Sequence, residues 1–475
     1  DTTINRWHTT PVSGRINGSN PCSEYVHLDN SACNLSSLNL LSFLSENNEF
    51  DVDGFRHAVR IMITAQEILV SPSDYPTETI GENARKFRQL GLGYTNLGAL
   101  LMALGLAYDS EDARSLAAVI TAIMTGEAYK TSAQIAARLG PFEGYELNEE
   151  AMISVLNAHR DAIDAIPANE AIPPALRAAA LEVWGNAVRF AEQNGVRNSQ
   201  VSVLAPTGTI SCMMDCDTTG VEPDLGLKKT KTLVGGGTMS IVNQTISKAL
   251  ETLGYDLIQR DEILECIERT GSVNEAPHLK EEHLQVFACS MGDNCIEPSG
   301  HIKMMAAVQP FLSGAISKTV NLPHSASVED IQELYKTAWE SGIKAVAIYR
   351  DGCKVAQPLT IDTLEKTSPA EIARGVGSNV ARPQRERLPR SRSSRTFEFR
   401  VADCKGFVTV GEYSDGRPGE IFIRVSKQGS TLAGIMDAFA MAVSHGLQYG
   451  VPLDAYVSAF VGMRFEPGGI TDDPE

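Results

Sequence analysis

The sequence has no excess of positive charge: 41 Lys and Arg stand against 59 Asp and Glu, a formal net charge of −18. That argues against a protein that coats nucleic acid, because such proteins displace counterions from phosphate with a basic surface. No N-terminal series of basic, apolar and small residues marks a leader, and the longest apolar run, around Leu97 to Ala107, is too short to cross a bilayer. A cytoplasmic protein without a membrane partner is expected. None of the nine cysteines forms a C-x-x-C pair, so reduced thiols with a few reactive members are expected rather than a disulfide framework. A zinc site built from Cys212, Cys216, Cys289 and Cys295 is the weaker reading, since neither pair has tight spacing and a long stretch separates them.

Two phosphate-binding signatures are also incomplete. Gly91-Leu92-Gly93 lacks the third glycine of G-x-G-x-x-G, because Asn96 stands there, and no hydrophobic strand leads into it. Tight helix packing is the expected role of those glycines. Ala205-Pro206-Thr207-Gly208-Thr209-Ile210-Ser211 lacks the Gly-Lys-Ser or Gly-Lys-Thr of a Walker loop. It does follow a β-rich stretch, Gln200 to Leu204, and its Gly, Thr and Ser suit a helix start, where backbone N–H groups and hydroxyls converge on one spot. An ordinary N-cap in an α/β turn fits those residues as well.

With 475 residues and 43 % hydrophobic content the chain can bury more than one core, as two or three domains. Near its start, Asn20-Pro21-Cys22-Ser23-Glu24 sets an amide, a thiol and a carboxylate at alternate positions, and Cys33 follows nine residues after Glu24. An extended backbone would turn Asn20, Cys22 and Glu24 to one side, a thiol beside a general base. A free cysteine is commonly a small buried hydrophobe, however, and a lone carboxylate is ordinary. Residues 1–40 otherwise read as loop and short extended pieces.

Helices are expected over 53–69, 110–139 (capped by Ser110 and stopped by Gly140-Pro141), 148–166 and from Pro173-Pro174 to about Gly195. Loops with glycines, 215–224 and Gly235-Gly236-Gly237, come next. Ser327 and Asp330 form a capping box for a helix to Ser341, and Lys344 to Tyr349 reads as a buried strand. Strands alternating with helices from 200 to 352 make an α/β core. Residues 355–395 read as a linker, with six Arg and two Pro between Ala381 and Arg395. Residues 396–475 follow as a small α+β domain, with hairpin strands to Val425 and a helix from Thr431 to Gly446.

Four stretches in this order resemble the catalytic part of a ribonucleotide reductase: Asn20 to Glu24, Ala32-Cys33-Asn34-Leu35, Ala205 to Ile210, and Ser313-Gly314-Ala315-Ile316-Ser317-Lys318-Thr319. Gly419 to Ile423 and Leu447 to Pro452 are similar to the extra domain of the long vitamin B12-dependent, class II enzymes. The resemblance implies that residues 1–354 are the second part of a ten-stranded α/β barrel with a central finger loop. By motif match, Cys22 carries a thiyl radical and Glu24 is the general base. Asn20 holds the ribose hydroxyls, Cys33 is one of two reducing thiols, and Thr207, Gly208, Thr209, Ile210 and Ser211 bind the substrate phosphates.

The resemblance further implies adenosylcobalamin as cofactor, a ribonucleotide substrate, an external dithiol reductant such as thioredoxin, and a homodimer. Class I large subunits carry two adjacent tyrosines where this chain has Ala347-Ile348-Tyr349-Arg350, with one. A class I subunit is therefore the alternative, beside a nucleotide-binding regulator with an incomplete site. The chain starts at Asp1 rather than Met, and the family's other reducing cysteine precedes the finger loop. A portion of a longer protein, inactive by itself, is expected.

Overall fold

The computed structural model describes residues 2–232, 238–353, 359–361, 385–401, 404–425 and 431–460. The chain forms two compact units, 1–366 and 367–475.

Parallel strands carry the first unit. Asn34–Asn39 runs parallel to Leu90–Thr95, with Asn34 opposite Leu90 and Asn39 opposite Thr95. On the other edge of Leu90–Thr95 lies the extended segment 200–204, joined by Leu90 N–H to Gln200 O (2.8 Å) and Val203 N–H to Leu92 O (3.0 Å). Leu204 bridges Ile316 in parallel, and Thr319–Leu322 pairs in parallel with Ala347–Arg350. Parallel neighbours need long crossovers, and helices supply them. Val52–Val70 and Glu78–Phe87 join the first two strands; Glu111–Leu139, Tyr145–Asp161 and Pro174–Asn194 lie between the second and third.

The Glu111–Leu139 helix is buried on nearly every side from Ala113 to Ala133, which explains why its apolar residues follow no single stripe. Trp184 of the neighbouring helix is fully buried and donates its indole N–H to Ala122 O at 2.9 Å, so the bulkiest core side chain leaves no polar atom unpaired. The local signals behave as their chemistry requires. Ser110 accepts from Ala113 N–H and Gly140 ends the helix; Pro174 stands in the first turn of its helix; Ser327 and Asp330 cap each other reciprocally.

Gly91-Leu92-Gly93 is a correction. These residues lie in the strand Leu90–Thr95, every residue of which is buried, not in a packed helix. A strand buried on both faces has no apolar–polar alternation to betray it. A Cβ on Gly91 would fall 2.6 Å from Cys33 Sγ, so glycine here lets the neighbouring strand and its thiol close in. A second correction concerns Lys344 to Tyr349: the strand begins at Ala347, its residues are exposed or half-buried, and Lys344 itself is turned inward. Tyr145–Asp161 starts before the expected helix at 148 and passes into a 3₁₀ turn, Ala162–Ala165.

Lys228–Thr232 pairs antiparallel with Thr238–Val242 and with Leu359–Ile361. The last of these falls inside the stretch read as a linker. Gly235-Gly236-Gly237 lies outside the described residues.

The second unit is a three-stranded antiparallel sheet, with Cys404–Glu412 between Ser394–Val401 and Pro418–Val425. The helix Thr431–Gln448 covers one face, where Ala440 packs with Ile423 and Val425. Ser444 accepts the Ile421 N–H at 2.9 Å and fixes helix to strand. Three arginines from the end of the Arg-rich stretch have side-chain partners: Arg385 in Gln448, Arg392 in Glu420 and Arg395, itself exposed, in Glu412. Among the described residues no helix is long and apolar enough to cross a membrane.

Candidate active site

Asn20 to Tyr25 form a closed turn, and this corrects the extended reading. Asn20 O accepts Ser23 N–H (3.0 Å), Asn20 N–H donates to Tyr25 O (3.1 Å), and Asn20 Oδ1 accepts Tyr25 N–H (3.0 Å). Ser23 takes a left-handed φ of 73°. The physical reason was available in the sequence: Asn followed by Pro is a turn opener, with proline pre-set for the second position. Side chains therefore do not alternate. Cys22 stands exposed at the tip, whereas Glu24 is 2 % exposed.

Glu24 is anchored by its main chain, its carbonyl accepting Ala315 N–H at 2.8 Å. Its Oε2 is buried and has no hydrogen-bond partner among the described residues. A buried carboxylate oxygen without a donor is costly in a finished core. Cys33 immediately precedes the strand Asn34–Asn39. Burial, reinforced by the charge of Glu24, pushes its thiol pKa well up. Tyr25 donates to Ser31 Oγ at 2.8 Å, and its phenol is likewise pushed up by burial and then by Cys33. Glu24, Tyr25 and Cys33 thus share one electrostatic neighbourhood.

Sequence reasoning missed the polar floor beneath this turn. His27 is buried between the Gln89 amide, 3.1 Å from Nδ1, and Ser199 Oγ, 3.0 Å from Nε2. Burial, with a smaller contribution from His8, lowers its pKa to about 3. Gln200 sets its amide nitrogen 4.0 Å from Cys33 Sγ and donates to Leu90 O at 3.3 Å. No motif flags such residues; only the fold brings them together.

The second expected element opens the short helix Gly208–Met213. Thr207 precedes it with φ 55°. The hydroxyls of Thr207 and Ser211 are buried and consumed internally: Thr207 donates to Thr95 Oγ1 (2.9 Å), Ser211 to Thr207 Oγ1 (2.8 Å), and Gly220 N–H to Thr207 Oγ1 (2.7 Å). Gly208, Thr209 and Ile210 are exposed. Their N–H groups precede the first intrahelical bond, Ser211 N–H to Thr207 O at 2.8 Å, and so point outward as helix-start donors do. Two of the five expected phosphate residues brace the turn, and three present it.

In the fourth stretch, Ser313 Oγ accepts the N–H groups of Val201 (3.1 Å) and Ser202 (2.9 Å). Lys318 is buried and paired with Glu222 Oε2 at 2.5 Å, while Glu222 Oε1 accepts Thr319 N–H at 2.8 Å. Burial lowers the Lys318 pKa and the partner carboxylate opposes that shift. The Tyr349 hydroxyl is buried without a partner among the described residues. A cleft of about 620 Å³ opens beyond the C-terminal ends of Thr319–Leu322 and Ala347–Arg350, lined among others by Asn321, His324 and Asp351. Cys22, Glu24 and Cys33 do not line it. Cys289 and Cys295 face each other across a β-bridge, but no group of three or more His, Cys, Asp or Glu is placed to hold a metal among the described residues.

Residues 1–349 match the family model for the ribonucleotide reductase barrel domain, and residues 381–474 match the TSCPD domain. A vitamin B12-dependent ribonucleotide reductase of Streptomyces clavuligerus is 53 % identical over all of this chain and 51 % of its own length. One from Rhodopirellula baltica is 51 % identical over all of this chain and 46 % of its own length. A third, from Streptantibioticus cattleyicolor, is 53 % identical over 95 % of this chain and 77 % of its own. The chain spans about half the length of the Streptomyces relatives it matches. With the barrel-domain match over most of its length and these identities, the chain belongs to the vitamin B12-dependent ribonucleotide reductase family.

Proposed function

We propose that this chain carries the radical thiol, the general base and one reducing thiol of an adenosylcobalamin-dependent reductase that converts ribonucleoside diphosphates to 2′-deoxyribonucleotides. The observation that carries the reading is the closed turn holding Cys22 exposed and Glu24 buried, with Cys33 within reach of the Glu24 charge. The parallel strand segments would be one half of a ten-stranded barrel, with the Asn20–Tyr25 turn as its finger tip.

The exposed thiol fits a bulky cofactor. Ser19, Pro21 and Cys22 are all exposed and would border it. Adenosylcobalamin, when bound there, would supply the radical chemistry that converts the exposed Cys22 thiol to a thiyl. The Cys22 thiyl then takes the ribose 3′ hydrogen, Glu24 accepts the 3′-hydroxyl proton through its unpartnered oxygen, and the Asn20 amide holds the hydroxyls. The 2′-hydroxyl departs as water. Cys33 and a second thiol together supply two electrons and two protons and close to a disulfide, which an external dithiol such as thioredoxin reopens. A Cys33 thiol kept protonated by burial retains the hydrogen this step requires. The N–H groups of Gly208, Thr209 and Ile210 cradle the substrate phosphates, on a turn braced by Thr207 and Ser211. The working enzyme is proposed to be a homodimer.

The test is made on the full-length protein with adenosylcobalamin, a ribonucleoside diphosphate and dithiothreitol. Deoxynucleotide should accumulate, and label at the cofactor's 5′ carbon should exchange with solvent. Cys22→Ser should abolish both. Either signal surviving at wild-type rate in that variant overturns the assignment.

A further inference from the structure

Behind the finger turn lies a buried ammonium that the proposed chemistry leaves unused. Lys344 is 7 % exposed, and its Nζ donates to three main-chain oxygens, Leu312 O at 3.1 Å, Ser313 O at 3.0 Å and Gly314 O at 2.7 Å. Three donors meet three acceptors, which satisfies the group geometrically. Among the described residues no carboxylate lies within ion-pair distance of it. The groups that face it are the Trp7 ring, 5.8 Å from Nζ, and the His8 and His159 imidazoles, whose pKa values its charge helps to lower. Burial alone draws the Lys344 pKa down to about 7. Taking a lone cation out of water costs stability, which its three carbonyl acceptors offset only in part.

The three carbonyls belong to the segment that anchors the finger turn. Gly314 N–H donates to Ser202 O and Ala315 N–H to Glu24 O, both at 2.8 Å. A Cβ on Gly314 would come within 3.0 Å of Glu24 O, so the two backbones are in close approach. Gln309 completes the cradle, donating to Gly314 O at 3.2 Å and accepting Lys344 N–H at 3.3 Å. The Lys344 ammonium thus binds one end of the Gly314–Ala315 peptide unit, at Gly314 O, while the other end, Ala315 N–H, binds the main-chain oxygen of Glu24.

We propose that Lys344 is a positioning residue for Glu24: by gathering the carbonyls of Leu312, Ser313 and Gly314 it sets the backbone of Ala315, and so the depth at which the Glu24 carboxylate meets its substrate. The inference rests on the reading of Glu24 as the base. It assigns Lys344 no contact with substrate or cofactor.

The experiment compares Lys344→Met, Glu24→Gln and the double variant in the full-length holoenzyme, with thermal midpoints recorded alongside. Lys344→Met should lower kcat ten- to hundredfold and change KM for the nucleotide less than threefold. Because Lys344 acts through Glu24, the double variant should be no slower than Glu24→Gln alone. Gln309→Met removes one donor and one acceptor from the same cradle and spares the ammonium. It serves if Lys344→Met does not fold, and should lower kcat about three- to tenfold on the same pattern. A folded variant at wild-type kcat, a loss that appears only in KM, or losses that multiply in the double variant overturns the proposal. Glu24→Gln at wild-type rate instead overturns the base reading itself, so the two failures are distinguishable.

Discussion

Ala315 donates its backbone N–H to the main-chain oxygen of Glu24 at 2.8 Å, while one carboxylate oxygen of Glu24 lies buried with no donor among the described residues. The backbone of this residue is held and its side chain is left open. In the full-length enzyme, Glu24→Gln should leave nucleotide affinity within threefold and slow reduction by roughly 10² to 10⁴, the range of a general base. The thermal midpoint should not fall, because the neutral amide removes a buried charge without breaking a bond to Oε2. Single-turnover reduction rates and a binding titration check both halves, and an unchanged rate sinks the base assignment.

The two thiols of the site should differ sharply toward alkylation. Cys22 is exposed, whereas burial and the charge of Glu24 push the Cys33 pKa well up, so little attacking thiolate is present at Cys33. Brief iodoacetamide treatment near pH 8, read by peptide mass spectrometry, should label Cys22 together with the exposed Cys212, Cys295 and Cys353 while Cys33 lags at least tenfold. Glu24→Gln should speed Cys33 labelling by removing the opposing charge. Equal rates at Cys22 and Cys33 contradict the geometry. In turnover, Cys33→Ser should block repeated reduction and spare hydrogen exchange with the cofactor.

How much of this was legible in the sequence differs by element. The long helices announced themselves through Ser110, Gly140, Pro174 and the Ser327–Asp330 pair, because caps act locally. Cys22, Glu24 and Cys33 could be named from motif, yet their surroundings could not. An extended backbone would have set Asn20, Cys22 and Glu24 on one side, but Asn20-Pro21 opens a turn that separates them. Leu90–Thr95 was hidden because burial on both faces erases the period of two. His27, Gln89, Ser199 and Lys344 were invisible for a different reason: what each residue does is fixed by partners far along the chain, and no local spacing encodes them.

Gly91→Ala tests the close approach of that hidden strand to the thiol. The added methyl would stand 2.6 Å from both Cys33 Sγ and Leu35 Cδ2, well inside contact distance, in a strand buried along its length. Overpacking of this kind costs about 1–3 kcal/mol, and here the neighbour that must yield is the proposed reducing thiol. Urea unfolding should show that loss, and multiple turnover should fall more than cofactor hydrogen exchange, since Cys22 lies on a separate turn. A variant with wild-type stability and turnover shows that Cys33 is free to move.

Buried histidines set the response to acid. Burial is the first cause that lowers His27 and His159 to about 3 and His301 to about 2; at His301 the Lys318 charge adds to it, and neither ring nitrogen has a partner among the described residues. In the unfolded chain a histidine titrates near 6.5. From pH 6.5 down to about 3 the unfolded state therefore binds more protons than the native one, so the stability present above pH 6.5 falls as pH drops. Three such groups contribute a slope of up to about 4 kcal/mol per pH unit well below 6.5. Urea unfolding at about pH 7.5, 6.5 and 5.5 should show this decline, and a flat profile excludes neutral buried imidazoles. His301→Leu should reduce the proton uptake by one without loss of stability at pH 7.5, because it replaces two unpartnered nitrogens with apolar surface.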